Sequence, residues 1–171
     1  MPNKWTFNVI PIRNFVNQYM PVDGKGWLDP FCGHVSWAEH RNDLNPENKN
    51  AQYHLEAQAF LEQMKGKFNG AIFDPPYSLT QVSRSYNDIG LQFKSKENPT
   101  GGFPRVRDLI SQKLRKGGIC LSFGWNSNGI GKTRGFELIE ILVVSHGGNR
   151  NDTICIAEKK VQINPSEVRD E

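Results

Sequence analysis

The residues Asp74-Pro75-Pro76-Tyr77 directly follow the apolar run Ala71-Ile72-Phe73. Two prolines in succession fix φ and remove two backbone donors, so a strand must end there and present rigid carbonyl acceptors at its tip. An acid beside a bare carbonyl is a frame for an amino group. Asp74 can accept one hydrogen of an exocyclic amine and the Pro75 carbonyl the other, which leaves the nitrogen lone pair facing an electrophile. Tyr77 adds a flat ring on which an unstacked base can rest. Taken alone, the segment also reads as a plain turn.

Two further segments could serve the same chemistry. Gly26-Trp27-Leu28-Asp29-Pro30 reads as a buried strand that stops at Pro30, followed by the small-residue turn Phe31-Cys32-Gly33. In an open α/β sheet, ligands lie beyond the carboxyl ends of the strands at such a turn. Gly33 lets the main chain approach a cofactor, and Asp29 offers an acceptor to a charged amino group. A strand and turn with one glycine is also a common structural device. Asp43, in Asn42-Asp43-Leu44-Asn45-Pro46, stands where an acid can accept ribose hydroxyls in a Rossmann-like unit, although taken without its neighbours the segment reads better as an Asn-Asp turn.

These segments need a sheet to position them. Residues 7 to 20 open with a β-like stretch and turn helical from Arg13, with Phe15, Val16 and Tyr19 on one face, until Pro21. Residues 51 to 65 are helical, residues 71 to 73 are strand, and residues 78 to 102 form a long polar loop with at most one helical turn. Val106 to Leu114 is an amphipathic helix closed by Arg115-Lys116 and Gly117-Gly118, a helix-stop pattern. Residues 119 to 123, 136 to 145 and 153 to 158 are strands, the last two joined as a hairpin through Gly147-Gly148-Asn149. The expected architecture is α/β: a mixed central sheet with a reversed edge strand and helices on both faces. At 171 residues the chain fits one domain over 1–171, with residues 164–171 as a flexible tail and no separate target-recognition domain.

The order of these motifs resembles the DPPY-type amino-methyltransferases, especially compact adenine-N6 DNA methyltransferases carried by bacteriophages. Asp29-Pro30-Phe31-Cys32-Gly33 is similar to their cofactor motif and Asp74-Pro75-Pro76-Tyr77 to their catalytic motif. The resemblance implies S-adenosylmethionine as methyl donor, a Rossmann-like class I fold with a reversed last strand, and adenine in DNA as the target. It further implies that residues 7 to 13, with Pro11, close over the cofactor, that Glu56 and Ala57 contact its adenine, and that Asp43 takes the ribose. A role in protection against host restriction is implied in the same way. The sequence departs from the pattern in two places: little room remains for a helix between Gly33 and Asp43, and target preference is left to the loops around Ser78 to Arg107.

Other signals bound the reading. Lys94, Lys96, Arg105, Arg107, Lys113, Arg115 and Lys116, with Phe93 and Phe103 interleaved, form a basic stretch that could track phosphates or be a solvated face. Gly129-Ile130-Gly131-Lys132-Thr133 tempts a phosphate-loop reading, but Asn126 stands where that motif needs glycine and a β-like run follows at once. A basic loop carrying Lys132 near the substrate is the better expectation. The four histidines lack metal-ligand spacing, and the three cysteines lack a C-x-x-C pair, so no metal is expected. A formal net charge of +3 permits nucleic-acid contact without requiring it. The amino terminus lacks an apolar signal core and no apolar run could span a bilayer, so the cytoplasm is expected. Two alternatives stay open: a non-catalytic subunit of this fold that binds DNA or a protein partner, and methylation of RNA, cytosine or a protein amide.

Overall fold

A computed structural model describes residues 6–90, 103–148 and 151–162. Their elements run in the order of a 3₁₀ turn (Thr6–Asn8), α1 (Ile10–Tyr19), β1 (Trp27–Asp29), β2 (His40–Arg41), α2 (Ala57–Gln63), β3 (Phe68–Phe73), α3 (Leu79–Asn87), α4 (Pro104–Lys113), β4 (Leu114–Gly124), a second 3₁₀ turn (Lys132–Arg134), β5 (Phe136–Val144) and β6 (Thr153–Lys160). The strands form one six-stranded sheet in the order β2-β1-β3-β4-β6-β5. β2, β1, β3 and β4 are parallel, while β6 runs antiparallel to both of its neighbours. The reversed strand is therefore the last in sequence, as expected. It lies one place in from the margin, because β5 pairs outside it and takes the edge.

The sheet is buried on both faces, and the alternation of its strands sorts the core into two layers. Trp27, Ile72, Leu121 and Ala157 pack with Ile12, Phe15 and Val16 of α1. Leu28, Ala71, Phe73 and Cys120 pack with Phe60 and Leu61 of α2 and with Val106, Leu109 and Ile110 of α4. The i, i+3, i+4 spacing of the buried residues in α1 and α4 is what a helix needs to lay one stripe on a sheet. Cys32, Cys120 and Cys155 are all buried as free thiols.

Several sequence expectations are corrected. Thr6–Asn8 is a 3₁₀ turn, and the helix begins at Ile10 with a proline in its first turn, where the missing donor costs nothing. The helix predicted over 51–65 shrinks to Ala57–Gln63. The preceding residues are extended against β2 instead: the Gln52 and Tyr53 amides donate to the Arg41 carbonyl, and the Leu55 amide donates to the Asn42 side chain. The stretch after Tyr77 contains a true helix, α3, and in its first turn the Gln81 amide donates to the Ser78 hydroxyl.

Gly117 and Gly118 do not stop α4. The chain passes from Lys113 straight into β4 at Leu114, and the glycines lie in an irregularity where Phe68 faces Leu114 but Gly70 faces Ile119. The helix end is satisfied from a distance: buried Lys160, on β6, donates to the carbonyls of Ser111 and Leu114, a cation where the helix dipole is negative. The expectations for Phe93, Lys94, Lys96, Asn149 and the tail 164–171 lie outside the described residues. Among the described residues, no helix is long and apolar enough to cross a membrane.

Gly70 shows how tightly β1 and β3 are pressed together. A Cβ there would lie 2.4 Å from the Trp27 ring, and Trp27 is itself buried in the sheet core. Gly70→Ala is expected to cost about 1–3 kcal/mol, the usual range for overpacking a dense core, read as a lower urea midpoint with an unchanged slope.

Candidate active site

The Asp74-Pro75-Pro76-Tyr77 corner stands at the carboxyl end of β3, between β1 and β4, and separates two cavities. The larger, roughly 310 Å³, opens at the carboxyl ends of β1, β2 and β3, the usual ligand position in such sheets. The smaller, roughly 100 Å³, lies on the β4 side of the corner. Asp74 borders the first, Pro75 and Tyr77 the second, and Pro76 both. Double proline explains the division, since a chain with fixed φ and no amide donors cannot continue the ladder and must turn away from it.

The charged residues lining the larger cavity are Asp43, Glu56, Asp74 and Asp88, without a lysine or arginine among the described residues. Such a lining suits a cation and repels a phosphate. Pro30, Phe31, Cys32 and Gly33 from the turn after β1, and Ala57 from the start of α2, complete much of the wall. Asp43 also holds its own turn: one carboxylate oxygen accepts the Asn45 amide at 2.8 Å and the other the Asn48 side-chain amide at 2.7 Å. The turn reading of this residue is thus realised, and the residue also borders the cavity. Glu56 accepts the Tyr86 hydroxyl at 2.7 Å and so ties α3 over the cavity mouth.

Asp29 stands behind this wall and is fully buried. It accepts the Ser36 hydroxyl at 2.6 Å and the Phe31 amide at 3.0 Å, so it fixes the turn and does not line the cavity. Burial pushes its carboxyl up to about 7, and the nearby Asp74 and Asp43 add to the rise against those two hydrogen bonds. Asn42 completes the support by donating to the carbonyls of Pro30 and Leu55. No helix intervenes between β1 and β2, as the short spacing led one to expect; side-chain hydrogen bonds do the positioning.

Asp74 is half-buried, and desolvation pushes it up to about 6 despite hydrogen bonds from Tyr77 and Thr6. The Tyr77 hydroxyl donates to Asp74, and burial beside that acid raises the phenol well above its ordinary range. The Tyr77 ring meets Trp125 edge-on at 5.4 Å. The smaller cavity is completed by Arg107, Ser122 and Asn126. The guanidinium carbon of Arg107 lies 5.3 Å over the Phe73 ring. Its Nε is buried without a hydrogen-bond partner among the described residues.

The structure does not gather every expected site residue. Pro11 is exposed on α1, and Thr6 and Phe7 line the larger cavity in its place. Ser78 caps α3 and borders neither cavity. Arg105 is exposed and pairs with Glu62 at 3.4 Å. Lys132 is exposed on the second 3₁₀ turn, away from both cavities. The phosphate-loop reading of that segment is excluded by its partner, because the amides of Ile130 and Gly131 donate to the Glu158 carboxylate at 2.5 and 2.9 Å. Missed from sequence were Trp125, Gln81, Val82 and Tyr86. The α3 residues could have been found from their spacing; Trp125 carried no local signal.

No protein-family model and no curated protein matches this sequence. Solved structures do match in shape. TrmN from Thermus thermophilus superposes with a TM-score of 0.56 at 14% identity over 87% of this chain and 48% of its own, so this chain spans about half the length of that protein. The N-methyltransferase NodS from Bradyrhizobium japonicum WM9, solved with S-adenosyl-L-homocysteine, superposes with a TM-score of 0.53 at 9% identity over 92% of each chain. The fold is the Rossmann-like class I methyltransferase fold. At these identities the likeness is one of fold.

Asp29 yields a test. Its carboxyl rises from 3.8 to about 7 on folding, so between those values the native state holds a proton that the unfolded chain has lost. Stability contributed by this group is present below about pH 4 and declines as pH climbs toward 7. Asp29→Asn should flatten that decline in urea titrations over the same window; an unchanged profile would contradict the assignment.

Proposed function

We propose that this protein is an S-adenosylmethionine-dependent methyltransferase acting on the exocyclic amino group of adenine in DNA. The supporting observation is the placement of the Asp74-Pro75-Pro76-Tyr77 corner as the shared wall of a large acidic cavity and a small aromatic one. The large cavity has the size of a small-molecule site and a mostly apolar wall. Its acidic lining fits a ligand bearing a sulfonium and an ammonium, and it does not fit the phosphates of a dinucleotide. Asp43 and Glu56 are the groups for ribose and adenine contacts, and the main chain of Phe31 to Gly33 allows close approach. When bound, S-adenosylmethionine supplies a methyl group made electrophilic by its sulfonium.

The chain's own residues do the rest. Tyr77 and Trp125 wall a slot for a flat ring turned out of its stack. Asp74, with the Pro75 carbonyl beside it, accepts the hydrogens of the amine and so points the nitrogen lone pair toward the larger cavity. A carboxyl near pH 6 is ionised at neutrality yet basic enough to take the proton released when the nitrogen is alkylated. Burial keeps water from competing for the methyl group. The choice of adenine in DNA is supported by the resemblance of the motif order to compact phage enzymes, and exposed Arg105 and Lys132 are available to phosphates.

Asp74→Ala is expected to lower tritiated-methyl transfer to DNA by roughly 100-fold or more, as for loss of a preorganised polar group. Calorimetric binding of S-adenosylmethionine should survive. For the unaltered protein, kcat/KM should fall as pH drops through about 6, where Asp74 takes up a proton; a flat profile from pH 5 to 8 would remove Asp74 from the mechanism. A non-catalytic subunit of the same fold is the second reading, favoured by the missing helix between β1 and β2. Absence of heat with both S-adenosylmethionine and S-adenosylhomocysteine would select it.

A further inference from the structure

The sequence reading makes Arg107 a substrate contact within a basic stretch that could track phosphates or be a solvated face, and the structure places it at a cavity. It lies on α4 at the smaller cavity, over the Phe73 ring and beside the strand that delivers Asp74. Its Nε is buried without an acceptor among the described residues. The acid that attracts it, Glu158, already accepts the Ile130 and Gly131 amides. That carboxylate packs into the space where a Cβ on Gly129 would stand, 2.3 Å from its oxygen. An arginine held by packing, with an unmatched donor at a slot walled by Tyr77 and Trp125, is arranged to meet an acceptor that arrives from outside.

The guanidinium donates and never accepts. A group at the Asp74 corner must therefore bring both amine hydrogens for the corner and an acceptor for Arg107. Adenine does so, with its amine next to the unprotonated N1. Guanine presents an N–H on one flank of its amine, and an exposed phosphate would not enter a slot of this size and aromatic lining. We propose that Arg107 is a specificity-determining residue that donates to the ring nitrogen beside the target amine, so that the substrate is an amino-bearing nucleobase read at that edge. This rests on the methyltransferase reading above and names the chemical feature by which its substrate is chosen.

The test compares DNA oligonucleotides containing adenine with ones in which every adenine is 1-deazaadenine, which keeps the amine and replaces the acceptor nitrogen by C–H. Binding is measured with S-adenosylhomocysteine present, and transfer with S-adenosylmethionine. The unaltered protein should discriminate against the analogue by about 5- to 150-fold, the usual worth of a good base contact. Arg107→Gln and Arg107→Lys should lose most of that discrimination while binding S-adenosylhomocysteine as before. The salt dependence of DNA binding should keep its slope in Arg107→Lys. Full discrimination retained by either variant would overturn the proposal. So would a phosphate-contact signature in Arg107→Gln, a slope shallower by about 0.9 with base preference intact. Discrimination in binding without any methyl transfer would defeat the catalytic reading alone, and transfer without discrimination would defeat the role of Arg107 alone.

Discussion

A strand that must end in two prolines sets the terms for the whole site. β3 is held on both faces, by Ile72 against the α1 layer and by Ala71 and Phe73 against the α2 and α4 layer, so its tip has little freedom to move. The prolines then turn the chain out of the sheet with an acid at the point of departure. That acid is flanked by cavities of opposite character, one lined by acidic groups and the other holding an arginine. Desolvation at the boundary raises Asp74, while Tyr77 and Thr6 hold it in place. A flexible or solvated corner would lose both the orientation and the perturbed acidity.

The molecule builds this site with few helices. Between β1 and β2, Asp29 and Asn42 bind the turn through side-chain hydrogen bonds. Between β4 and β5, a 3₁₀ turn suffices, and Glu158 holds the preceding loop by two amides. Such bonds run in a dry environment, where each satisfied donor stiffens the site and each unsatisfied one is costly. The positioning work that longer connections spread over many apolar contacts is concentrated here in a handful of polar ones. Asp29 and Glu158, both raised by burial, are the sites where protonation reaches that scaffold.

One unusual backbone feature belongs to the same economy. Phe103, just before α4, has a left-handed backbone with φ of 48°, uncommon for a residue with a Cβ. Its ring packs at 5.1 Å on Phe31 of the turn after β1. The contact links the entry to the helix that bears Arg107 with the wall of the larger cavity. The smaller and the larger cavity are thus joined by packing across the corner as well as through it.

Much of the strand framework was legible in sequence because its signals are local. Short apolar runs before Pro30 and Pro75 mark β1 and β3, and proline's missing donor marks their ends whatever the rest of the chain does. The motif order carried the class of fold. Local signals failed where distant residues compete for the same backbone: residues 51 to 56 look helical, yet Gln52 and Tyr53 bond to β2, and Gly117-Gly118 look like a helix stop although it is Lys160, on the strand beside β4, that holds the end of α4. Residue types also could not reveal their neighbours. Sequence named Asp29, Asp43 and Asp74 as acids near strand ends, but only folding determined that Asp29 is sealed behind the wall, that Asp43 and Asp74 face the cavity, and that Arg107 is drawn from a presumed basic surface into a slot. Strand ends follow from covalent limits on φ and donors, which each residue carries with it. Burial, charge partners and cavities arise from contacts between residues far apart in the chain, and those exist only once the sheet has closed.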